Sequence, residues 1–256
     1  MLWVIGLATR RLVRLRRKDI KAILLLTFYQ PFLYFIGENV GLSMVSSTVA
    51  AVIISTIPLM TPVASFVYFG ERVRATNLAG IGISVVGVFM VIIGPDFSLR
   101  ANPWGIALLL LAVVSAIAYS VVIAKLSGRY NAYSITTYQN TIGILFFLPV
   151  FFITDFAHFR QAELTSQAFW ALLQLAVFAS SLAFIFFTYG IQKLGITKAN
   201  AIANIIPVFT AIFAYFLLDE RLSFINMTGV LVVVGGLFLS QSKMRVVPRR
   251  YRLPKY

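Results

Sequence analysis

The chain is dominated by apolar stretches of about the length of a membrane crossing, separated by short polar segments. A helix rises 1.5 Å per residue, so about 20 apolar residues cross a hydrocarbon core of about 30 Å. Continuous apolar runs without strand alternation favour helices over a lipid-facing barrel. The pattern therefore predicts an all-α, polytopic transmembrane helix bundle with about eight spans. These are residues 22–45, 47–70, 77–94, 104–125, 133–153, 168–191, 197–218 and 224–240.

The composition is that of a chain that folds in lipid, and it excludes several kinds of functional site. Hydrophobic residues make up 60% of the 256 and charged residues 12%, against about 45–50% and about 25% in soluble domains. Cysteine is absent, which excludes disulfides and thiolate ligands. The single histidine is His158, so we expect no metal site and no cofactor.

The basic residues alternate between the connecting segments. Of 22 Lys and Arg residues, 19 lie in segment 10–21, after the second, fourth and sixth spans, and in the tail. The other connections hold only Arg100, Arg160 and Arg221. Cytoplasmic loops collect Lys and Arg, so this split predicts an even number of spans and places segment 10–21 and the C-terminus in the cytoplasm. The same rule accounts for the net charge of +14. We therefore expect the basic residues to face the lipid bilayer and not a nucleic acid.

A shift of 149 residues aligns the chain with itself without a gap. Matching spans are five apart, an odd number, so the two copies would cross the membrane in opposite senses. Inverted-topology repeats of this kind are typical of transporters. The same shift aligns Phe35 with Phe184. The shared motif pairs Pro58 with Pro207, Glu71 and Arg72 with Glu220 and Arg221, Gly80 with Gly229, and Gly87 with Gly236.

The repeat predicts the organisation of the chain. Residues 1–95 form a first, incomplete repeat of three helices and a short apolar stub. Residues 104–240 form a second repeat of five helices, and 241–256 form a basic tail. Mapping the second copy onto the first leaves one to two opening helices without a counterpart, so we expect ten spans in the complete architecture and interpret the chain as truncated at its N-terminus.

The paired segments 58–88, PLMTPVASFVYFGERVRATNLAGIGISVVGV, and 207–237, PVFTAIFAYFLLDERLSFINMTGVLVVVGGL, resemble the EamA family of the drug/metabolite transporter superfamily. The resemblance implies ten helices in two repeats and movement of small organic metabolites, often outward, across a plasma membrane such as the bacterial inner membrane.

The repeated motif residues allow a structural and a functional interpretation. Glu71 and Glu220 would cap helix ends or act as gate charges, and we favour capping. The glycines would let helices approach closely within the chain or in a homodimer, and we favour the first. Pro58 and Pro207 would bend their helices.

Glu38 is the one carboxylate well inside a span. Thr27, Gln30, Tyr34 and Glu38 follow a spacing that puts them on one helical face. A charge in hydrocarbon is costly, so this face would line a wet substrate path with Glu38 as a proton or cation site. The alternative is an acid that reaches to the outer interface.

Further neutral polar residues recur in the later spans. Hydrogen-bonding groups beside aromatic surface suit amino acids, nucleosides or aromatic compounds, and bonds between helices are the alternative. No Lys or Arg lies deep in a span, which argues against phosphorylated substrates. These candidates are Tyr119, Thr136, Asn140, Tyr189, Asn200 and Asn204.

These patterns favour a secondary transporter that exports small neutral or zwitterionic metabolites, with proton coupling as one option. The alternative is a non-transporting membrane protein, a relic or an assembly partner. No GxxxxGK[ST] motif and no acid, base or metal cluster occurs, so we do not expect an enzyme.

Overall fold

The computed structural model describes residues 2–10, 12–70, 75–92, 101–160, 165–201 and 224–241, with 209, 213 and 216. These residues form helices and no strand, which confirms the all-α polytopic class. Six helical segments are long and apolar enough to cross a membrane: Arg17–Leu42, Ser47–Phe69, Ala75–Ile92, Pro103–Leu126, Ala132–Asp155 and Ser166–Leu194.

Several of these segments are divided into shorter helices. The α-helices are α1 (Leu2–Ala8), α2 (Ile20–Thr27), α3 (Tyr34–Leu42), α4 (Ser47–Ile54), α5 (Ile57–Phe69), α6 (Ala75–Ile92), α7 (Pro103–Leu126), α8 (Ala132–Val150), α9 (Phe156–Phe159), α10 (Ser166–Gln174), α11 (Ala183–Leu194), α12 (Ile196–Ala201) and α13 (Phe224–Gln241). The predicted seventh span begins with α12, but most of it lies outside the described residues. The count of eight, the repeat boundaries and the tail therefore stay predictions.

The first span is a broken helix. A π-helical turn, Phe28–Leu33, joins α2 to α3, and Gln30 within it has extended backbone angles (φ −149°, ψ 126°). The residue before a proline is disfavoured in the α conformation, and Pro31 follows Gln30. The continuous helical face predicted from the spacing of Thr27, Gln30, Tyr34 and Glu38 is therefore interrupted at Gln30.

Polar residues mark the ends of other helices. The side chains of Ser46, Asn102, Asn131 and Thr165 accept hydrogen bonds from backbone N–H groups in the first turns of α4, α7, α8 and α10. Such caps satisfy N–H groups that have no partner within the helix. Gly70, with φ +66°, ends α5 in the left-handed conformation. Pro58 lies in the first turn of α5, where proline is well tolerated.

Helix α7 lies at the centre of the bundle and belongs to two apolar clusters. Leu109, Ala112 and Val113 pack with residues of α4, α5, α6 and α13. Nearer the C-terminal end of α7, Tyr119 and Ile123 pack with residues of α2, α8, α11 and α12. A helix that is apolar on all sides is typical of such a buried position.

Helices α6 and α13 pack in close antiparallel contact. A Cβ atom at Gly80 would lie 2.5 Å from the Gly236 carbonyl oxygen, and one at Gly87 would lie 2.7 Å from the Gly229 oxygen. Ser84 donates its hydroxyl to the Val233 carbonyl at 3.0 Å. These four glycines are therefore used for packing within the chain.

The spans define two faces of the bundle. The first contains residues 12–19, the turn at 127–131 and the end of α11, because Arg129 pairs with Asp19 and Gln192 donates to the Tyr130 carbonyl at 2.9 Å. The second contains residues 43–46 and the start of α7, because α3 packs antiparallel on α7. The described basic residues from Arg10 to Lys21, with Lys125, Arg129 and Lys193, belong to the first face, whereas Arg160 follows the opposite end of α8.

Candidate functional site

Glu38 and Tyr34 form a polar pair near the second face. The Tyr34 hydroxyl donates to Glu38 Oε1 at 2.9 Å, one helical turn away on α3. Glu38 lies four residues before the end of α3 at Leu42, which is about 6 Å along the axis. Both side chains are half-buried. Among the described residues, no Lys or Arg forms an ion pair with Glu38.

A series of aromatic contacts leads from this pair into the bundle. Tyr34 contacts Phe35 with ring centroids 5.5 Å apart, and Phe35 meets Phe184 edge-on at 6.2 Å. Phe184 then meets Tyr119 at 6.1 Å, and Tyr119 lies parallel to Phe187 at 6.3 Å. Aromatic side chains of α3, α7 and α11 therefore form one continuous wall.

The wall ends at a buried polar cluster. The Tyr119 hydroxyl donates to Gln139 Oε1 at 3.0 Å, and the Thr188 hydroxyl lies beside that of Tyr119. Thr136 precedes Gln139 by three residues on α8, hence on nearly the same face. All four residues are 0% exposed. Gln139 lies seven residues into α8, about 10 Å from the first face.

Sequence reasoning missed Gln139 and Thr188. A glutamine between Thr136 and Asn140 in an apolar span is itself a usable signal, because a buried amide in lipid needs partners. Thr188 carries no such signal, because a threonine in a helix can bond its own backbone.

Two predicted path residues form bonds between helices. Asn140 donates to the Ser180 carbonyl at 2.8 Å and joins α8 to the sixth crossing segment. Asn200 donates to Ser120 Oγ at 3.3 Å and to the Ile196 carbonyl at 2.9 Å, which joins α12 to α7.

The other predicted path residues are dispersed. Thr27 is buried and donates to the Ile23 carbonyl at 2.9 Å, while Gln30 is half-buried at the break in the first span. Tyr189 is 53% exposed on the outside of the bundle, with Lys193 Nζ 5.7 Å from its ring centroid. Asn204 lies outside the described residues, as do Glu71, Arg72, Pro207, Glu220 and Arg221.

A second polar network, also missed from the sequence, lies at the first face. Asp19, 4% exposed, accepts hydrogen bonds from Arg129 Nη1 and from the Tyr130 hydroxyl, the latter at 2.8 Å. Burial is the largest cause that raises the pKa of Tyr130, and Asp19 raises it further, whereas the bond from the Arg16 N–H acts in the opposite direction. Tyr130 therefore stays protonated and continues to donate to Asp19.

The segment before Asp19 is held against α8 by hydroxyl groups. The backbone N–H of Val13 donates to Ser134 Oγ at 2.8 Å, and the Tyr138 hydroxyl donates to the Val13 carbonyl at 2.9 Å. The Leu15 N–H donates to the Tyr138 hydroxyl at 3.2 Å. Residues 12–19 thus form a strap across the end of α8.

Membrane-length helices around a buried polar interior define a polytopic helical membrane protein. The profile of the EamA-like transporter family matches residues 1–93 and 103–241. The chain belongs to this family, which confirms the resemblance of its paired motifs.

Individual relatives are distant but span most of the chain. The uncharacterized transporter YetK of Bacillus subtilis (strain 168) is 26% identical over 234 residues, covering 90% of this chain and 71% of its own. An uncharacterized transporter of Archaeoglobus fulgidus is 26% identical over 226 residues, covering 88% and 79%. A WAT1-related chloroplastic protein of Arabidopsis thaliana is 26% identical, covering 78% and 49%.

A solved crystal structure has the same fold. It superposes with a TM-score of 0.67 at 16% sequence identity and covers 93% of this chain and 82% of the other. At this identity the similarity concerns the fold alone.

Proposed function

We propose that the protein is a secondary transporter that exports small neutral or zwitterionic organic metabolites by alternating access. The observation that carries the proposal is the aromatic wall through Phe35 and Phe184, which joins the Glu38 pair near one face to the Gln139 cluster nearer the other. Aromatic surface with a few placed polar groups is typical of sites for small organic ligands. The uncharacterized transporters among the relatives support the same class.

Contacts between repeat equivalents support an inverted repeat. Phe35 touches Phe184, and Ser84 bonds to Val233. In each pair the two residues are 149 positions apart, which is the repeat shift. When equivalent residues meet each other, a two-fold axis passes between them. Two such pairs are what two antiparallel halves around one axis would produce, and halves of this kind can rock to open either face.

The charge distribution supports a cytoplasmic first face. The described basic residues concentrate there, around segment 10–21 and Arg129, as the positive-inside rule expects. The proposed location is a bacterial inner membrane with the Glu38 pair near the outer face.

Glu38 is the proposed proton site. A half-buried carboxylate without a cationic partner among the described residues is costly when charged, so binding and release of a proton would accompany its exposure to either face. Tyr34, which donates to Glu38 Oε1, stabilises the charged form and can lose that role when the proton binds.

Proteoliposomes test the transport and the coupling together. The purified protein is reconstituted with internal pyranine and exposed to a panel of amino acids, nucleosides and aromatic metabolites. We expect at least one compound to drive a pH change in the lumen, and Glu38→Gln to reduce that change about tenfold or more because the amide carries no proton.

Asp155→Asn is the matched control, because Asp155 is an exposed carboxylate at the end of its span; its proton flux should equal that of the wild type. Unchanged flux in Glu38→Gln would contradict the coupling. No uptake or counterflow of any panel compound by the wild type would contradict the transporter.

A further inference from the structure

We infer that Gln139, Thr188 and Thr136 form a recognition site for an uncharged carbonyl or amide oxygen of the substrate, and this inference rests on the proposed function. Its starting observation is a group of polar atoms without a hydrogen-bond partner in the fully buried cluster around Tyr119. These atoms are Gln139 Nε2, Thr136 Oγ1 and Thr188 Oγ1, the last of which lies beside the Tyr119 hydroxyl but outside normal hydrogen-bond geometry.

Most buried hydroxyls in the described spans have a hydrogen-bond partner. A buried hydroxyl in a helix can donate to the carbonyl one turn earlier. Other buried residues of the spans do so, among them Thr27, Thr61 and Ser120, with bonds of 2.7–3.0 Å to the backbone oxygens of Ile23, Ile57 and Ala116. Thr136 and Thr188 do not use this option. The remaining buried polar atoms without partners in the described residues, in Thr48, Thr76 and Ser240, lie in other helices.

Three helices bring the cluster together. Tyr119 belongs to α7, Gln139 and Thr136 to α8, and Thr188 to α11. The hydrogen bond from Tyr119 to Gln139 Oε1 orients the glutamine. Because its oxygen is occupied, the side chain presents its NH₂ group, which has two donors and no acceptor.

The donor set decides the kind of group that fits. An amide NH₂ and two hydroxyls can all donate to a ligand oxygen. No Lys or Arg of the described residues bonds to these side chains, so a carboxylate or phosphate would lack a counter-charge in a low-dielectric site. An amide, lactam or ketone oxygen accepts the same bonds without a charge.

The aromatic surroundings add a shape requirement. The ring of Tyr119 lies within 9° of parallel to that of Phe187, and Phe184 meets Tyr119 edge-on. Flat faces of this kind favour a planar group next to the carbonyl. The site thus selects planar, uncharged, carbonyl-bearing compounds among the metabolites considered above.

Benzamide is a suitable probe, because it combines a planar ring with a neutral carbonyl. Benzoate has nearly the same shape with a negative charge. Binding of radiolabelled benzamide to the purified full-length protein in nanodiscs, with unlabelled benzoate as competitor, measures the preference directly. We expect benzamide to bind at least about tenfold more tightly than benzoate.

Two variants assign the binding to the cluster. Gln139→Leu removes the amide donors, and Thr188→Val replaces the hydroxyl beside Tyr119 with a methyl group of similar size. Each should weaken benzamide binding about tenfold or more, with monodisperse elution as the check on folding. Gln174→Leu is the matched control, because Gln174 is exposed at the end of α10, and it should bind like the wild type.

Equal benzamide binding by the wild type, Gln139→Leu and Thr188→Val would overturn the inference and assign the unpaired atoms to buried water. Benzoate binding as tight as that of benzamide would also overturn it. The proposed function fails separately: benzamide binding that depends on Gln139, without transport of any compound in the liposome panel, would retain the site and reject the transporter.

Discussion

At the residue scale, the ion pair between Asp19 and Arg129 connects parts of the chain that are 110 residues apart. Its two partners lie in different environments, since the side chain of Asp19 is 5% exposed and that of Arg129 is 31% exposed. Removing one partner of a buried pair costs more when the remaining charge has no access to water.

We therefore predict that Arg129→Gln destabilises the protein more than Asp19→Asn. The first leaves a buried carboxylate and should cost about 3 kcal/mol, whereas the second leaves an arginine that can reach solvent and should cost about 1 kcal/mol. Thermal unfolding of the detergent-solubilised variants measures the order. The double variant should recover part of the loss, and equal melting temperatures for the two single variants would contradict this account.

At the element scale, close packing of α6 on α13 depends on four glycines that are two pairs of repeat equivalents. The backbone of one helix fills the space that a side chain would need on the other. Gly82 and Gly235 lie on the same two helices, but an added Cβ at either would have no atom within 4 Å. Close contact between the helices therefore requires glycine at the four paired positions but not at Gly82 or Gly235.

We predict that Gly80→Ala and Gly87→Ala each destabilise the protein by about 1–3 kcal/mol, as expected when a packed contact is overfilled. Gly82→Ala is the matched control and should be neutral or slightly stabilising, because alanine has the higher helix propensity. The melting temperatures of the three variants in the same detergent provide the measurement. A loss in Gly82→Ala equal to that in Gly80→Ala would show that packing against α13 is not the cause.

At the scale of the whole molecule, the spans place the turn at 127–131 and the turn at 43–46 on opposite faces. The natural chain contains no cysteine, so single cysteines report on one position at a time. Gly128 and Ser43 are exposed positions in these turns.

We predict that a membrane-impermeant maleimide labels Ser43→Cys in intact cells but labels Gly128→Cys only after the membrane is opened. The unaltered protein should give no signal in either condition. Labelling of both positions from the same side would contradict the arrangement of the spans. Labelling of Gly128→Cys alone in intact cells would reverse the proposed orientation.

Order along the chain is enough to predict the all-α membrane class, most helix positions and the family. These properties depend on order along the chain: lipid requires long apolar helical runs, and the paired motifs around Pro58 and Pro207 are local. Only the tertiary structure places Gln139 beside Tyr119 and pairs Asp19 with Arg129. It also interrupts at Gln30 the helical face predicted to contain Glu38, and it exposes Tyr189 on the outside of the bundle. Those outcomes depend on how the helices rotate and pack, which hydropathy does not specify because lipid and a protein interior are similarly apolar.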